Sequence, residues 1–116
     1  MRLAIPLLSL LVMAFAMPAL GQTGPSAENG KLVFDQWCIH CHGQMQRGPL
    51  PGTASLTIKY RGELPALLEE RTDLVPEFIR TVVRGGLFGM PITRKTEVSE
   101  AELEDIIAYL TRNQGR

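Results

Sequence analysis

Residues 37–43 read WCIHCHG and hold the most informative pattern in the chain. Both cysteines and both histidines of the 116 residues lie within these seven positions. Thiols and imidazoles this close together are typical of a disulfide, a metal site or a covalent cofactor attachment. The residues around the cluster, and the rest of the chain, decide among these three.

The surroundings of Cys38 and Cys41 argue against a catalytic disulfide and against zinc. A C-x-x-C pair of the thioredoxin kind needs a βαβ context, whereas the periodicity on both sides of this pair is helical. A structural zinc site takes four ligands, usually from two separated pairs, and this chain offers one cluster only. A plain disulfide between the two cysteines stays open as the alternative to cofactor attachment.

The spacing C-x-x-C-H is the attachment signature of c-type haem. Cys38 and Cys41 would form thioether bonds with the two vinyl groups of the haem, and His42 would be the proximal ligand of the iron. A covalent cofactor also stabilises a domain that is too small to bury a large core of its own. His40 lies between the cysteines and is interpreted as a surface residue rather than a ligand.

Met90 is the predicted second axial ligand. It lies 48 residues after His42, within Gly89-Met90-Pro91 and before the last predicted helix, so a strap could carry it across the distal face of the haem. Met45 follows His42 by three residues and would have to reach the opposite face of the ring. The alternative is that Met90 fills a gap in the core. Histidine and methionine together raise the haem potential and close the position that O₂ chemistry requires.

The first residues do not resemble part of a folded domain. Arg2 is followed by an uncharged, apolar stretch, and Ala19 and Gly21 are small residues at positions −3 and −1 of a cleavage site. This pattern predicts a secretory signal peptide at 1–21, a domain at 22–116 and a periplasmic location, without stable membrane insertion after cleavage. An uncleaved membrane anchor is the alternative, because the stretch is near the lower length limit for spanning.

The charge of the chain gives no support to nucleic-acid binding. Without Arg2 the 12 basic residues become 11, against 12 acidic residues, a formal charge of −1. The sequence also lacks the basic and aromatic interleaving that such binding uses. Between Arg80 and Lys95, however, four basic residues occur with no acid. They would form either an ordinary solvated surface or a positive rim beside Met90, where an arginine could pair with a haem propionate.

The periodicity predicts an all-α fold. Ser26 caps a first helix at 27–37, a loop-rich region covers 43–62, and a short helix occupies 64–70. Thr72 or Asp73 caps a helix at 74–84 that Gly85 and Gly86 end. The last helix carries the clearest signals, which are a capping box from Ser99 to Glu102 and apolar residues at i, i+3, i+4 and i+7 (Leu103, Ile106, Ile107, Leu110).

Over residues 28–112 the sequence resembles the class I cytochromes c. Beyond the haem signature, Gly30, Phe34 and Cys38 are spaced as in the first helix of that family, and Ile106 and Tyr109 correspond to packing residues of its last helix. The resemblance implies three to five helices around one covalently bound haem c, ligated by His42 and Met90. It also implies an electron-transfer protein rather than an enzyme. A glycine at position 30 would let the two helix backbones approach closely.

Residues 49–110 more narrowly resemble the small cytochrome subunit of para-cresol methylhydroxylase and its relatives. The matching stretches include LPALLEERTDL at 64–74 and RKTE at 94–97. This resemblance implies an FAD-containing partner subunit of the vanillyl-alcohol oxidase type that oxidises a 4-alkylphenol and passes its electrons to the cytochrome. A downstream redox protein would then take them. The alternatives are a free periplasmic shuttle to an oxidase and an open-site haem enzyme or sensor.

Overall fold

The computed structural model describes residues 24–45 and 47–116, so the predicted signal peptide lies outside the described part of the chain. The fold within these ranges is all-α, with one minimal hairpin whose two strands pair antiparallel. In chain order the elements are α1 (Ala27–Trp37), α2 (Ile39–His42), β1 (Gln44–Met45), β2 (Gly48–Pro49), α3 (Pro51–Tyr60), a 3₁₀ turn (Leu68–Glu70), α4 (Pro76–Gly85) and α5 (Glu100–Leu110). None of the helices in this part of the chain has the length and apolarity to cross a membrane.

The crossing of α1 over α5 forms the centre of the fold, as the resemblance to the class I cytochromes c implies. A Cβ built on Gly30 would lie 1.9 Å from the carbonyl oxygen of Asp105 and 2.9 Å from the amide nitrogen of Ile106. The two backbones therefore approach so closely that no side chain fits between them. Next to this contact, the rings of Phe34 and Tyr109 pack with their centroids 5.7 Å apart.

Both crossing helices have well-formed N-termini. The Ser26 hydroxyl accepts a hydrogen bond from the Asn29 amide at 3.1 Å, and the Asp105 carboxylate accepts one from the Ser26 amide at 2.6 Å. Asp105 thus ties the start of α1 to the side of α5. At the start of α5 the predicted capping box is confirmed, since Ser99 and Glu102 each accept a hydrogen bond from the backbone amide of the other.

The core lies between α1, α4, α5 and the segments that precede them. Phe34, Leu103, Ile106 and Val98 are its most deeply buried side chains. The predicted apolar face of the last helix is confirmed, because all four of its members are buried. The core continues through partly buried residues to Cys38, Ile39, Leu68 and Met90, which border the site described below.

The prediction of a loop-rich region at 43–62 is wrong for its second half, which forms α3. Pro51 is at the first position of this helix, where its fixed φ and its missing N–H cost nothing. Arg61 ends α3 in the left-handed conformation, with φ 51°. Glycine and proline therefore mark the ends of a helix here, not the absence of one.

Two other boundaries also differ from prediction. Only Leu68–Glu70 of the expected helix at 64–70 is helical, as a single 3₁₀ turn, because so short a segment is marginal as an isolated helix. The helix expected from residue 74 begins at Pro76 with Val75 as its N-cap, since the residue before a proline disfavours the α conformation. Asp73 does not cap this helix and instead pairs with Arg71. Gly85 and Gly86 end it as predicted, with φ 72° at Gly86.

Candidate haem site

A cavity of about 600 Å³ opens between the helices and contains the site. All four predicted site residues line it: Cys38, Cys41, His42 and Met90. Most of the remaining wall is apolar and comes from α1, α3, α4, α5, the segment 68–74 and the residues around Met90. Its apolar members include Phe34, Leu56, Leu68, Leu74, Phe78, Ile79, Val82, Val83, Ile106 and Leu110. The size and the apolar lining are those of a pocket for an organic cofactor.

The cysteine pair is presented by the short helix α2. The amides of Cys41 and His42 both bond to the carbonyl oxygen of Cys38, at 3.1 Å and 2.9 Å. These bonds turn positions 38, 41 and 42 toward one side, because residues three and four apart share a helix face. Both thiols are free, with no disulfide between them. Burial, together with the neighbouring Cys41, raises the pKa of the Cys38 thiol to about 11.

His42 is held in place by close packing of α3. A Cβ on Gly52 would lie 2.8 Å from the Cys41 carbonyl oxygen and 3.1 Å from Cε1 of His42. The hydroxyl of Thr53, which is buried, donates to the Gly43 carbonyl at 3.0 Å. Burial lowers the pKa of the imidazole and so favours the neutral form that binds metals. Nδ1 of this ring is buried without a hydrogen-bond partner among the described residues.

Met90 lies in the uncharged segment 85–93 (GGLFGMPIT), here called the strap. A tight turn closes it, since Leu87 and Met90 exchange backbone hydrogen bonds of 3.2 Å and 2.9 Å. A Cβ on Gly86 would lie 2.8 Å from the Met90 carbonyl oxygen, so glycine is required for this close approach. At its far end the strap is fixed to α4 by a bond from the Thr93 amide to the Val83 carbonyl at 2.8 Å.

These residues fit a c-type haem. Two free thiols, a neutral imidazole and a thioether on the wall of one apolar cavity are the donor set that this group uses. His40, by contrast, is exposed, with Nε2 3.2 Å from the Gln36 carbonyl oxygen. It is absent from the cavity wall, and its prediction as a surface residue is confirmed.

Comparison with known proteins agrees with this geometry. The model of the family described as cytochrome c oxidase, cbb3-type, subunit III matches residues 25–110. The chain belongs to this cytochrome c family. No curated protein and no solved structure matches it.

Membership confirms the coarser of the two resemblances seen in the sequence. The protein is a class I c-type cytochrome, with one covalently bound haem c and a role in electron transfer. The all-α class predicted from the periodicity is likewise confirmed. The narrower likeness to the cytochrome subunit of para-cresol methylhydroxylase stays a prediction.

Arg71 is a residue of the site that could not be selected from sequence patterns alone. Although its side chain is only 5% exposed, it lines the cavity of the cytochrome. It donates from Nε and Nη2 to the carboxylate of Asp73, at 2.5 Å and 2.6 Å, and its guanidinium carbon lies 4.6 Å from the centre of the Tyr60 ring. The hydrogen bonds to Asp73 raise the pKa of Arg71. A guanidinium on this wall is placed to donate hydrogen bonds to a carboxylate group of the cofactor.

The four basic residues between Arg80 and Lys95 do not form a positive rim. Each is within ion-pair distance of a glutamate: Arg80 of Glu77 and Glu104, Arg84 and Lys95 of Glu100, and Arg94 of Glu97. Arg84 also donates to the carbonyl groups of Thr93 and Val98, both at 2.9 Å, which fixes the end of the strap. The surface beside Met90 is thus balanced in charge.

Proposed function

We propose that this cytochrome is a periplasmic carrier of single electrons, attached to its haem through Cys38 and Cys41 and ligated by His42 and Met90. The observation that carries the proposal is the meeting of these four side chains on one cavity wall, although 48 residues separate the two axial ligands. Bound at this site, haem c supplies an iron that cycles between Fe(III) and Fe(II).

The side chains around the cavity suit a carrier better than an enzyme. His42 and Met90 would occupy both axial positions, which leaves none for a substrate or O₂. The apolar wall would lower the local dielectric constant around the cofactor, which would raise the haem potential. The turn at Leu87–Met90 and the bonds at Thr93 would hold the Met90 thioether in the same place in both oxidation states.

Binding of carbon monoxide to the reduced protein tests the assignment of Met90 as a ligand. With Met90 as ligand, the reduced protein should not bind carbon monoxide at neutral pH, whereas Met90→Ala should bind it readily. An open-site enzyme or sensor predicts that the unmutated protein also binds it. Absorption spectra of the reduced proteins, with and without the gas, distinguish the two outcomes.

A periplasmic location is supported by the apolar, cleavable pattern of residues 1–21 and by the chemistry of the cofactor, since c-type haem is joined to its protein outside the cytoplasm. Cleavage before Gln22 predicts a mature protein of residues 22–116 that carries one haem. Mass spectrometry of the protein from a periplasmic fraction tests both points. An intact N-terminus in a membrane fraction would instead support an anchor.

For the electron donor, the resemblance at 49–110 supports an FAD-containing dehydrogenase subunit of the vanillyl-alcohol oxidase type. Such a subunit would oxidise a 4-alkylphenol by two electrons and pass them to the cytochrome one at a time. A downstream redox protein would reoxidise the cytochrome. Co-purification of an FAD protein, with para-cresol-dependent reduction of the haem, is the expected result.

The description of the matched family supports a second candidate, a shuttle that serves an oxidase. The discriminating observation is the behaviour of the protein during purification from its native source. A free shuttle elutes alone and is reoxidised by membranes in the presence of O₂. A flavocytochrome subunit elutes with flavin, and para-cresol reduces it without further additions.

A further inference from the structure

The strap leaves α4 at its end and returns to the last turn of the same helix. It leaves through Gly86, whose amide still makes the helical bond to the Val82 carbonyl oxygen at 2.8 Å. It returns through Thr93, whose amide donates to the Val83 carbonyl oxygen, also at 2.8 Å. The last carbonyl groups of a helix have no partner within the helix, so the bond from Thr93 also completes the end of α4. The strap is thus a loop that is closed at its base, and Met90 lies within it.

Arg84 fixes this base from the side. Its Nη1 donates to the Thr93 carbonyl oxygen at 2.9 Å, so Thr93 is held through both its amide and its carbonyl group. Its Nη2 donates to the carbonyl oxygens of Val98 at 2.9 Å and Ser99 at 3.3 Å, and Ser99 is the N-cap of α5. One guanidinium therefore joins the end of α4, the end of the strap and the start of α5.

The contacts at position 84 need the geometry of an arginine. A guanidinium presents its donors in a rigid, planar fork, whereas the ammonium group of a lysine is a single point charge. The fork of Arg84 reaches carbonyl groups on two separate segments. Its ion pair with Glu100 is a weaker contact, because that carboxylate is 57% exposed and is shared with Lys95, and exposed pairs contribute little. The bonds to the carbonyl groups therefore hold the base of the strap.

We propose that Arg84 keeps the strap closed, so that Met90 holds the sixth position of the haem iron against competing ligands. The inference rests on the proposed ligation by Met90. The apparent affinity of a competing ligand rises with the fraction of molecules in which the strap is open. Arg84 sets this fraction, because the far end of the strap leaves α4 only when the bonds at Thr93 break. Arg84 acts through the strap and does not touch the iron, so it is a positioning residue.

Imidazole binding to the oxidised holoprotein measures how often the strap opens, because the added nitrogen ligand replaces the Met90 sulfur without a change in oxidation state. At neutral pH, Arg84→Gln should bind imidazole at least about tenfold more tightly than the unmutated protein, since it loses hydrogen bonds from a charged donor. Arg80→Gln is the matched control on α4 and should stay within about twofold, because the hydrogen bonds of Arg80 go to Glu77 and Glu104. Glu100→Gln, which removes only the ion pair, should also stay within about twofold.

A general loss of stability would give a different result. Gly30→Ala weakens the crossing of α1 and α5 and should lower the thermal midpoint, yet it should leave the imidazole affinity within about twofold. Arg84→Lys keeps the charge but loses the fork, and its affinity should lie between those of the unmutated protein and Arg84→Gln. If Gly30→Ala tightens imidazole binding as much as Arg84→Gln, or if neither Arg84 variant retains haem, Arg84 supports the fold as a whole and the proposal is wrong.

The outcomes separate the role of Arg84 from the ligation on which it rests. Met90→Ala lacks the ligand and defines the imidazole affinity of a fully open position. If the unmutated protein binds imidazole as tightly as Met90→Ala, the ligation by Met90 fails, and the proposal fails with it. If the unmutated protein resists imidazole and Arg84→Gln resists it equally, the role of Arg84 is wrong and the ligation stands. Equal effects of Arg80→Gln and Arg84→Gln would assign the change to the charge of α4 and would also contradict the proposal.

Discussion

At the scale of single residues, the fold depends on a few positions where adding or removing a side-chain atom would disturb the packing of the helices. Gly30 lets two backbones touch, and Gly52 lets α3 approach His42. Tyr109 packs on Phe34 while its hydroxyl donates to the carboxylate of Glu69. These residues determine how closely α1 meets α5 and α3 meets α2, and thus where the cavity lies.

Gly30→Ala should destabilise the protein by about 1–3 kcal/mol. The new methyl group would overlap the Asp105 carbonyl oxygen, and overpacking costs of this size exceed the gain of about 1 kcal/mol in helix propensity. Gly85→Ala is the matched control, because a Cβ there meets no atom within 4 Å. Chemical denaturation of both holoproteins checks this. An equal stability of the two variants would contradict the close crossing.

Tyr109 should make the protein sensitive to alkaline pH. Burial, followed by the hydrogen bond to the Glu69 carboxylate, raises the pKa of its hydroxyl to about 12 from the ordinary 10.0. Because the folded-state pKa is raised, the stabilisation is complete below pH 10 and is lost as the pH rises toward 12. Tyr60→Phe leaves Tyr109 as the only tyrosine of the chain, so its tyrosinate absorbance can be titrated alone. A tyrosinate midpoint near pH 10 would contradict both the burial of Tyr109 and its hydrogen bond to Glu69.

At the scale of elements, the termini of the helices explain what the sequence could and could not predict. The helix α1 was predicted with its observed limits, and the last helix with its cap, because their signals are local: Ser26 and Ser99 bond to amides three residues away. The helix α3 is not predicted, since Pro51 and Gly52 at its start and Gly62 just beyond its end are typical of loops, whereas in the fold α3 packs against α2.

The residues of the candidate site also differ in whether local sequence patterns can predict them. The haem signature at 38–42 is a contiguous pattern, and its chemistry can be inferred without a fold. The place of Met90 on the cavity wall agrees with its selection by elimination, which rests on the few methionines available and on its neighbours Gly89 and Pro91; its role as a ligand stays a prediction. Arg71 could not be predicted, since its place on the cavity wall depends on Asp73 and Tyr60, which only the tertiary structure brings to it.

Ser99→Ala should lower the free energy of unfolding by about 1 kcal/mol, the usual cost of losing an N-cap side chain. The hydroxyl accepts the Glu102 amide at 3.3 Å and donates to its carboxylate at 2.7 Å, and both bonds would be lost at the start of α5. Thr81→Ala, which removes an exposed hydroxyl within α4, is the control and should change stability little. Equal losses in the two variants would show that the capping box is not what stabilises the start of α5.

At the scale of the whole molecule, the cavity indicates that folding and cofactor attachment are linked. About 600 Å³ of largely apolar space lies between α1, α3, α4 and α5. The apolar side chains on the two sides of this space do not contact one another, so a bound group that fills it adds contacts that the helices alone do not make. We therefore expect the helices to pack more stably with the group bound than without it.

The double variant Cys38→Ala/Cys41→Ala, isolated without haem, should lack a cooperative unfolding transition. Its far-ultraviolet circular dichroism should show much less helix than the holoprotein, because nothing fills the cavity. Ile58→Ala, at a side chain that is 75% exposed, is the control and should fold with its haem. A cooperative transition in the haem-free double variant would show that the chain closes the cavity unaided.

The central claim is that Met90 completes the iron site that Cys38, Cys41 and His42 begin. It is tested most directly by the sulfur-to-iron charge-transfer absorption of the oxidised protein, recorded for the unmutated chain, Met90→Ala and Met45→Ala. The account predicts that the band is present in the unmutated protein, lost in Met90→Ala and retained in Met45→Ala. A band that survives in Met90→Ala, or that disappears in Met45→Ala, would contradict it.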